Sequence, residues 1–276
     1  MAAQPKDSPV ILITGASSGI GAELARQLAR GAAKEGRTAR LALAARREDR
    51  LNALAEELRR DCGADVLVHA ADMTQPSHVA VLVDSVKSHF GRIDVLVNNA
   101  GVLKMAPFLD MPIGDMQYLV NVNFWGPLHA IRAAAPVMAE QGGGRIVQVA
   151  SGVARRGLPF MAVYAATKAA LSCFTESLRM ELGAQGIDFT IVYPGGVDTE
   201  MPASVDRASL PDTYHDHAEL RIPAARAARA IRKALKCGAL EVYVPWWVRW
   251  ASWLSVICPS AADFLIRRSY GKSLNK

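Results

Sequence analysis

From residue 10 to residue 244 the chain alternates short apolar runs with stretches in helical period, and no other feature restricts its fold as strongly. The runs cover 10–14, 40–45, 65–70, 93–98, 145–151, 188–193 and 241–244. Several are nearly continuous in Val, Ile, Leu and Ala, as expected of strands buried on both faces. The stretches between them place apolar residues at helical spacing, for example Leu24 and Leu28, then Leu51, Leu54 and Leu58. Strand–helix alternation predicts a parallel sheet with right-handed crossovers. The expected fold is therefore α/β, a single doubly wound domain over 1–244 with a mostly parallel seven-stranded sheet. A helical extension follows over 245–276. No internal repeat and no Pro-, Gly- or Ser-rich linker divides the chain.

Composition narrows the class. With 276 residues, 51% of them hydrophobic and 21% charged, the chain can bury a sizeable core and is not disordered or collagen-like. Its four cysteines, Cys62, Cys173, Cys237 and Cys258, are scattered and form no C-x-x-C pair, which favours a reducing compartment over a disulfide framework. The net charge of +6 is uneven: residues 219–276 hold 11 Lys/Arg against 3 Asp/Glu, and the rest 21 against 23. An anionic partner is therefore sought at the carboxyl-terminal end. Met1 to Pro9 is polar and lacks the apolar stretch of a secretory signal, which predicts a cytoplasmic protein.

The first run ends in Thr14-Gly15-Ala16-Ser17-Ser18-Gly19-Ile20-Gly21, and a helical pattern follows at once. Glycines there let the backbone turn tightly and approach a pyrophosphate held at a helix N-terminus. The spacing is G-x-x-x-G-x-G, and its place between first strand and first helix favours a dinucleotide site over a merely tight connection. The second run ends Ala45-Arg46-Arg47, where a chain selecting NAD carries Asp or Glu. A guanidinium suits a 2′-phosphate, since its fork donates two charge-assisted hydrogen bonds. NADP is the expected cofactor, with Arg46 as its contact.

Tyr164 and Lys168 stand four apart in a segment read as helix over 163–182, so they share a face. A phenol has a pKa of about 10, and a nearby ammonium brings it closer to the working range. Ser151, read as the end of the fifth strand, reaches the same sheet edge as the Gly-rich turn and can hydrogen-bond a carbonyl or alkoxide oxygen.

Together with Asn98-Asn99-Ala100-Gly101, Asn123 and Pro194-Gly195, these motifs resemble the classical short-chain dehydrogenase/reductase family, whose domain is a Rossmann fold. The resemblance covers about residues 9–244. It implies that Tyr164 is the general acid in reduction and that Lys168 holds the nicotinamide ribose and lowers the tyrosine pKa. It further implies that Ser151 polarises the substrate carbonyl and that Asn123, in preference to Asn121, holds a water linking Lys168 to solvent. Cofactor contacts are implied for Gly15, Ser17, Ser18, Gly19, Ile20, Gly21, Asp72, Asn99, Ala100, Gly101, Pro194, Gly195, Val197 and Thr199. Asp72 is otherwise a turn residue, Asn98 otherwise a strand cap, and Asp198 is an unexplained charge inside the last motif. A homodimer or homotetramer is also implied. No metal is expected, and His215-x-His217 is read as solvated loop.

Two segments break the alternation. Residues 200–222 are irregular and follow a strand end, the place of a lid. The extension carries four of the chain's five Trp within ten residues, and Trp246, Trp250, Trp253 and Ile257 form one apolar stripe at helical spacing. The run is too interrupted to span a membrane, but it suits peripheral contact with one, flanked by basic residues. The competing readings of that face are an oligomer interface and a cover over the pocket. No nucleic acid partner is expected. A hydrophobic, lipid-like ketone fits the tail, loosely resembling members that act on steroids, 3-ketosphinganine or 3-oxoacyl chains. The alternatives are a soluble general carbonyl or 3-oxoacyl carrier-protein reductase, a non-catalytic NADP-binding regulator and, lower still, another nucleotide-fold enzyme such as a methyltransferase.

Overall fold

Ile11 and Ile13 pack to one side of the first strand and Val10 and Leu12 to the other, and all four are at most 5% exposed. This two-sided burial is what a parallel sheet sandwiched between helices requires. The protein is described here by a computed structural model covering residues 8–203 and 205–274. The outer ends of both expected segments, and Ser204 within the expected lid, lie outside the described residues.

The strands are β1 (Val10–Thr14), β2 (Arg40–Ala45), β3 (Asp65–Ala70), β4 (Val95–Asn98), β5 (Gly144–Val149), β6 (Ile187–Pro194), β7 (Val197–Asp198), β8 (Ile222–Pro223) and β9 (Glu241–Val244). Seven of them form one sheet in the order β3-β2-β1-β4-β5-β6-β9, parallel at every pairing. The helices are α1 (Gly19–Lys34), α2 (Glu48–Cys62), α3 (Pro76–Phe90), α4 (Ile113–Val120), α5 (Gly126–Glu140), α6 (Ala162–Gly183), α7 (Glu200–Ala203), α8 (Ala224–Cys237), α9 (Trp247–Ile257) and α10 (Pro259–Leu274). One core joins the sheet to α1, α2 and α8 through residues such as Leu24, Leu51 and Ile231. The other joins it to α3, α5 and α6 through Leu82, Ile131 and Leu178. Each fully buried Leu or Ile contributes about 1.5–3 kcal/mol relative to exposure. The strand order reverses between β1 and β4, and the crevice at their carboxyl ends is where such sheets hold ligands.

Two local features differ from the sequence expectation. The fifth strand stops at Val149: Ala150 N still donates to Val192 O (2.9 Å), but Ser151 lies beyond the strand and caps a short 3₁₀ turn. The segment 200–222 is closed at its base by a separate parallel ladder, Val197 pairing with Ile222 and Asp198 with Pro223. Asp198 is thus an exposed strand residue, which accounts for a charge tolerated there. The helical extension consists of two helices, broken near Cys258 and Pro259.

Candidate active site

The β1–α1 turn is built around a close approach. Gly15 has φ +67°, and a Cβ on it would lie 2.8 Å from Ala100 Cα. Only glycine fits that backbone beside the end of β4. Asn99 locks the arrangement, its Nδ2 donating to Thr14 O (3.0 Å) and Gly15 O (3.2 Å). Thr14 Oγ1 accepts from the backbone N–H of Asn99 and of Ala100, each at 3.1 Å. Gly21 faces inward: a Cβ there would meet Gly15 O at 2.5 Å and Asn99 Nδ2 at 2.7 Å. It packs α1 under the turn and, unlike the other expected contacts, does not line the cavity described below.

At the end of β2 the two arginines part company. Arg46 Nη1 donates to Tyr118 Oη at 2.7 Å. Arg47 turns to the Gly-rich turn, its Nη2 donating to Ser18 Oγ (2.7 Å) and Ser17 Oγ (3.1 Å), while Nη1 reaches Glu200 Oε2 (2.7 Å). Arg50 joins the same carboxylate. Hydrogen bonds from Arg47 and Arg50 hold Glu200 below the usual carboxylate range. Arg47 was named in the sequence motif without a role. Tyr118 and Glu200 carried no sequence signal, because they reach this corner from distant elements; Arg50 stands in the first turn of α2.

Ser151, Tyr164 and Lys168 meet at the carboxyl ends of β5 and β6. Tyr164 and Lys168 lie one turn apart on α6 and are 9% and 4% exposed. Lys168 Nζ donates to Val149 O at 3.0 Å and sits 6.0 Å from the Tyr164 ring centroid. Burial pushes Lys168 down to about 8, because a buried ammonium loses its hydration. Burial pushes the Tyr164 hydroxyl up, and a side-chain hydrogen bond with Ser151 opposes that rise. Within the chain itself burial prevails at Tyr164, so the lowering expected of Lys168 does not dominate there.

Asn123 is fully buried and Asn121 exposed. Asn123 lies in a π-helical turn, Asn121–Trp125, inserted between α4 and α5. Such turns free main-chain groups from the regular ladder and often mark functional sites. Its amide closes a two-way pair with Val102: Nδ2 donates to Val102 O, and Oδ1 accepts from Val102 N, both at 2.9 Å. A Cβ on Gly101 would lie 3.2 Å from Asn123 Oδ1 and 3.5 Å from Lys168 Nζ, so Gly101 separates the two.

The Gly-rich turn, the two arginines and the Ser151–Tyr164–Lys168 group border one cavity of about 940 Å³. It is lined by Gly15, Ser17, Ser18, Gly19, Ile20, Arg46, Asp72, Asn99, Ala100, Gly101, Ser151, Tyr164, Lys168, Pro194, Gly195, Val197 and Thr199. Asn123 and Asn98 stay behind its wall; Asn98 Nδ2 donates to Pro127 O at 3.3 Å. Asp72 borders the cavity and also caps its own turn, Oδ1 accepting from Thr74 N and Thr74 Oγ1 at 2.9 Å. The far wall comes from the segment 200–222 and the tail: Leu210, Tyr214, Leu220, Val248, Ser252, Ser255, Ile266 and Tyr270.

The tail stripe faces away from the cavity, so the cover is formed by other residues of the same helix. Val248, Ser252 and Ser255 are the buried side of α9. Trp246, just before the helix, and Trp250, Trp253 and Ile257 point the other way and are 51–75% exposed. Cover and stripe are therefore opposite faces of one element, not competing uses of one face, because residues two apart on a helix lie about 200° apart.

Comparison with known proteins agrees with this geometry. The profile of the short chain dehydrogenase family matches residues 9–209. The chain is 39% identical over 251 residues to 11-beta-hydroxysteroid dehydrogenase-like 4A of Arabidopsis thaliana, covering 91% of this chain and 81% of that one. A short-chain dehydrogenase from Sphingobium yanoikuyae in complex with NADPH superposes with a TM-score of 0.74 at 30% identity, covering 92% and 95% of the two chains. A short chain dehydrogenase/reductase from Burkholderia phymatum in complex with NAD gives 0.79 at 25% identity, with the same coverage.

Proposed function

Because this chain belongs to the short-chain dehydrogenase family, and so is an oxidoreductase interconverting carbonyl compounds and alcohols, we propose that it is NADP(H)-dependent and acts on a hydrophobic, lipid-like ketone. The observation that carries the reading is the meeting of Ser151, Tyr164 and Lys168 on the wall of the cavity that the Gly15–Ile20 turn also borders.

The cofactor fits the residues present. The β1–α1 turn leaves no room for a Cβ at Gly15 and presents the N-terminus of α1 to a pyrophosphate. Arg46 and Arg47, with Ser17 and Ser18, offer donors for a 2′-phosphate. When bound, the nicotinamide supplies the hydride. The chain's own residues do the rest. Ser151 hydrogen-bonds the carbonyl oxygen and orients it. Tyr164 delivers its proton to that oxygen as negative charge develops. Lys168 holds the ribose and favours the phenolate once the proton has left. Asn123, held by Val102, supports the water through which that proton is replaced.

The substrate class rests on the lid-and-tail wall, where Leu210, Leu220, Val248 and Ile266 face the cavity. It also agrees with the printed name of the Arabidopsis relative, a steroid dehydrogenase-like protein. The deciding experiment measures NADPH and NADH oxidation against a short soluble ketone and a long-chain 3-keto lipid in mixed micelles. NADPH with the lipid is the expected best pair. Equal rates on the soluble ketone would make this a general carbonyl reductase, and preference for NADH would overturn the roles of Arg46 and Arg47.

The outward face of the tail supports a peripheral membrane contact. It joins exposed Trp250, Trp253, Ile257 and Phe264 with Arg249, Arg267 and Arg268. No described helix is long and apolar enough to cross a membrane. The assembly is proposed to be a homodimer or homotetramer, to be read by light scattering.

A further inference from the structure

The lid carries a group of side chains that the catalytic reading does not use. In 214–217 the backbone is not helical. Asp216 turns to Arg207 (2.8 Å) and Arg221 (2.7 Å). His215 and His217 meet ring to ring, 4.9 Å apart, and the short 3₁₀ turn that follows brings Glu219 to both. Glu219 Oε1 is 3.3 Å from His217 Nδ1, and Oε2 is 3.9 Å from His215 Nε2. All three ligand atoms lie within 4.8 Å of one another.

We propose that His215, His217 and Glu219 form a binding site for a divalent transition ion of the zinc type, which braces the lid where His217 packs against α10. Two imidazoles and a carboxylate are ligands that zinc takes, and bonds of 2.0–2.2 Å in a tetrahedron put ligand atoms about 3.4 Å apart. One of the pairs here already has that spacing, and no pair is more than 4.8 Å apart. His217 is also held from behind. Its Nε2 lies 2.9 Å from Ser269 Oγ, so with Nδ1 toward the ion the Nε2–H donates to Ser269 and the tautomer is set. The Tyr270 ring packs edge-on against the His217 ring at 5.3 Å, and Ser273 Oγ donates to Thr213 O at 2.7 Å. The three ligands thus sit where the lid meets the tail, and His217, Ser269 and Tyr270 border the substrate cavity. With three protein ligands, a fourth position stays open to water, so the ion is exchangeable and acts on lid opening. The inference stands independently of which ketone the enzyme reduces.

Titration of the whole chain with Co²⁺, then Zn²⁺, tests this. The wild type is expected to bind one Co²⁺ per chain with visible d–d bands that Zn²⁺ abolishes. Against a chromogenic zinc indicator, His217→Ala and Glu219→Gln should each weaken binding by about tenfold or more, and Ser269→Ala by about tenfold. Zn²⁺ should also slow proteolysis within 200–222 in the wild type and not in His217→Ala. Far-UV circular dichroism confirms that these exposed or half-exposed substitutions leave the fold intact. Failure of the wild type to bind one ion, or equal binding by His217→Ala and Glu219→Gln (an adventitious ion only), overturns the proposal.

Discussion

Lys168 holds an ammonium at a place that water barely reaches, one turn of helix from the phenol it is expected to serve. Its pKa, lowered by burial to about 8, is a statement about stability as well as chemistry. The unfolded lysine titrates near 10.4, so between the two values the unfolded state binds more protons and stability rises with pH. The cost of the buried charge is fully present below pH 8 and gone above about 10.4. Lys168→Met is therefore expected to be more stable than the wild type at pH 7, by up to about 3 kcal/mol. That advantage should shrink as pH rises through 8 toward 10, as followed by urea unfolding; a constant difference across this range would show that Lys168 is not buried with its charge. For Tyr164→Phe the prediction concerns turnover. The carbonyl loses its proton donor, and kcat should fall about 10²–10⁴-fold while NADPH binding, read by fluorescence titration, is unchanged. Turnover near the wild-type level would refute the role given to Tyr164.

Two connections, β1–α1 and β2–α2, decide how the cofactor end works. The first is set by backbone contact. Gly15→Ala would press a methyl into Ala100 at a left-handed φ, and thermal unfolding should report a loss of about 1–3 kcal/mol together with weaker cofactor binding. The second is set by charge. Arg47 already bridges Ser17, Ser18 and Glu200, which places it against the Gly-rich turn proposed to receive the phosphates. Arg47→Ala should raise the Kd for NADPH about 10- to 100-fold and change that for NADH little. An equal effect on both cofactors would make Arg47 a support of the turn and no reader of the 2′-phosphate. These connections were also unequally legible. The Gly-rich turn could be found because its meaning is local, in adjacent residues between a strand and a helix. The arginine corner could not be completed, because Arg47 and Glu200 are 153 residues apart in sequence.

Across the molecule, one end of the sheet collects the chemistry, and the tail closes over it with two different faces. Small side chains, Ser252 and Ser255, face the cavity side, and Trp250, Trp253 and Ile257 face out. With basic residues beside that outer face, the chain should sediment with vesicles containing phosphatidylserine more than with phosphatidylcholine alone, and added salt should weaken the effect. Replacing Trp250 and Trp253 by Ser should reduce vesicle binding roughly tenfold and leave turnover of a soluble ketone unchanged. No sedimentation with either vesicle would assign the face to contact between subunits.

The fold class, the seven strands of the main sheet, the tight Gly-rich turn after β1 and the placing of Tyr164 and Lys168 on one helix face were all legible in the sequence. Each is written in period, spacing or neighbouring residues, and such patterns follow from backbone geometry alone. Tertiary structure decided the rest. It turned the tail's Trp stripe outward, put Gly21 under the turn instead of in the cavity, and tied the lid with the β7–β8 ladder. It also set His217 against Ser269. Each of those outcomes depends on which distant surfaces meet when the two cores close, and one-dimensional spacing carries no record of that.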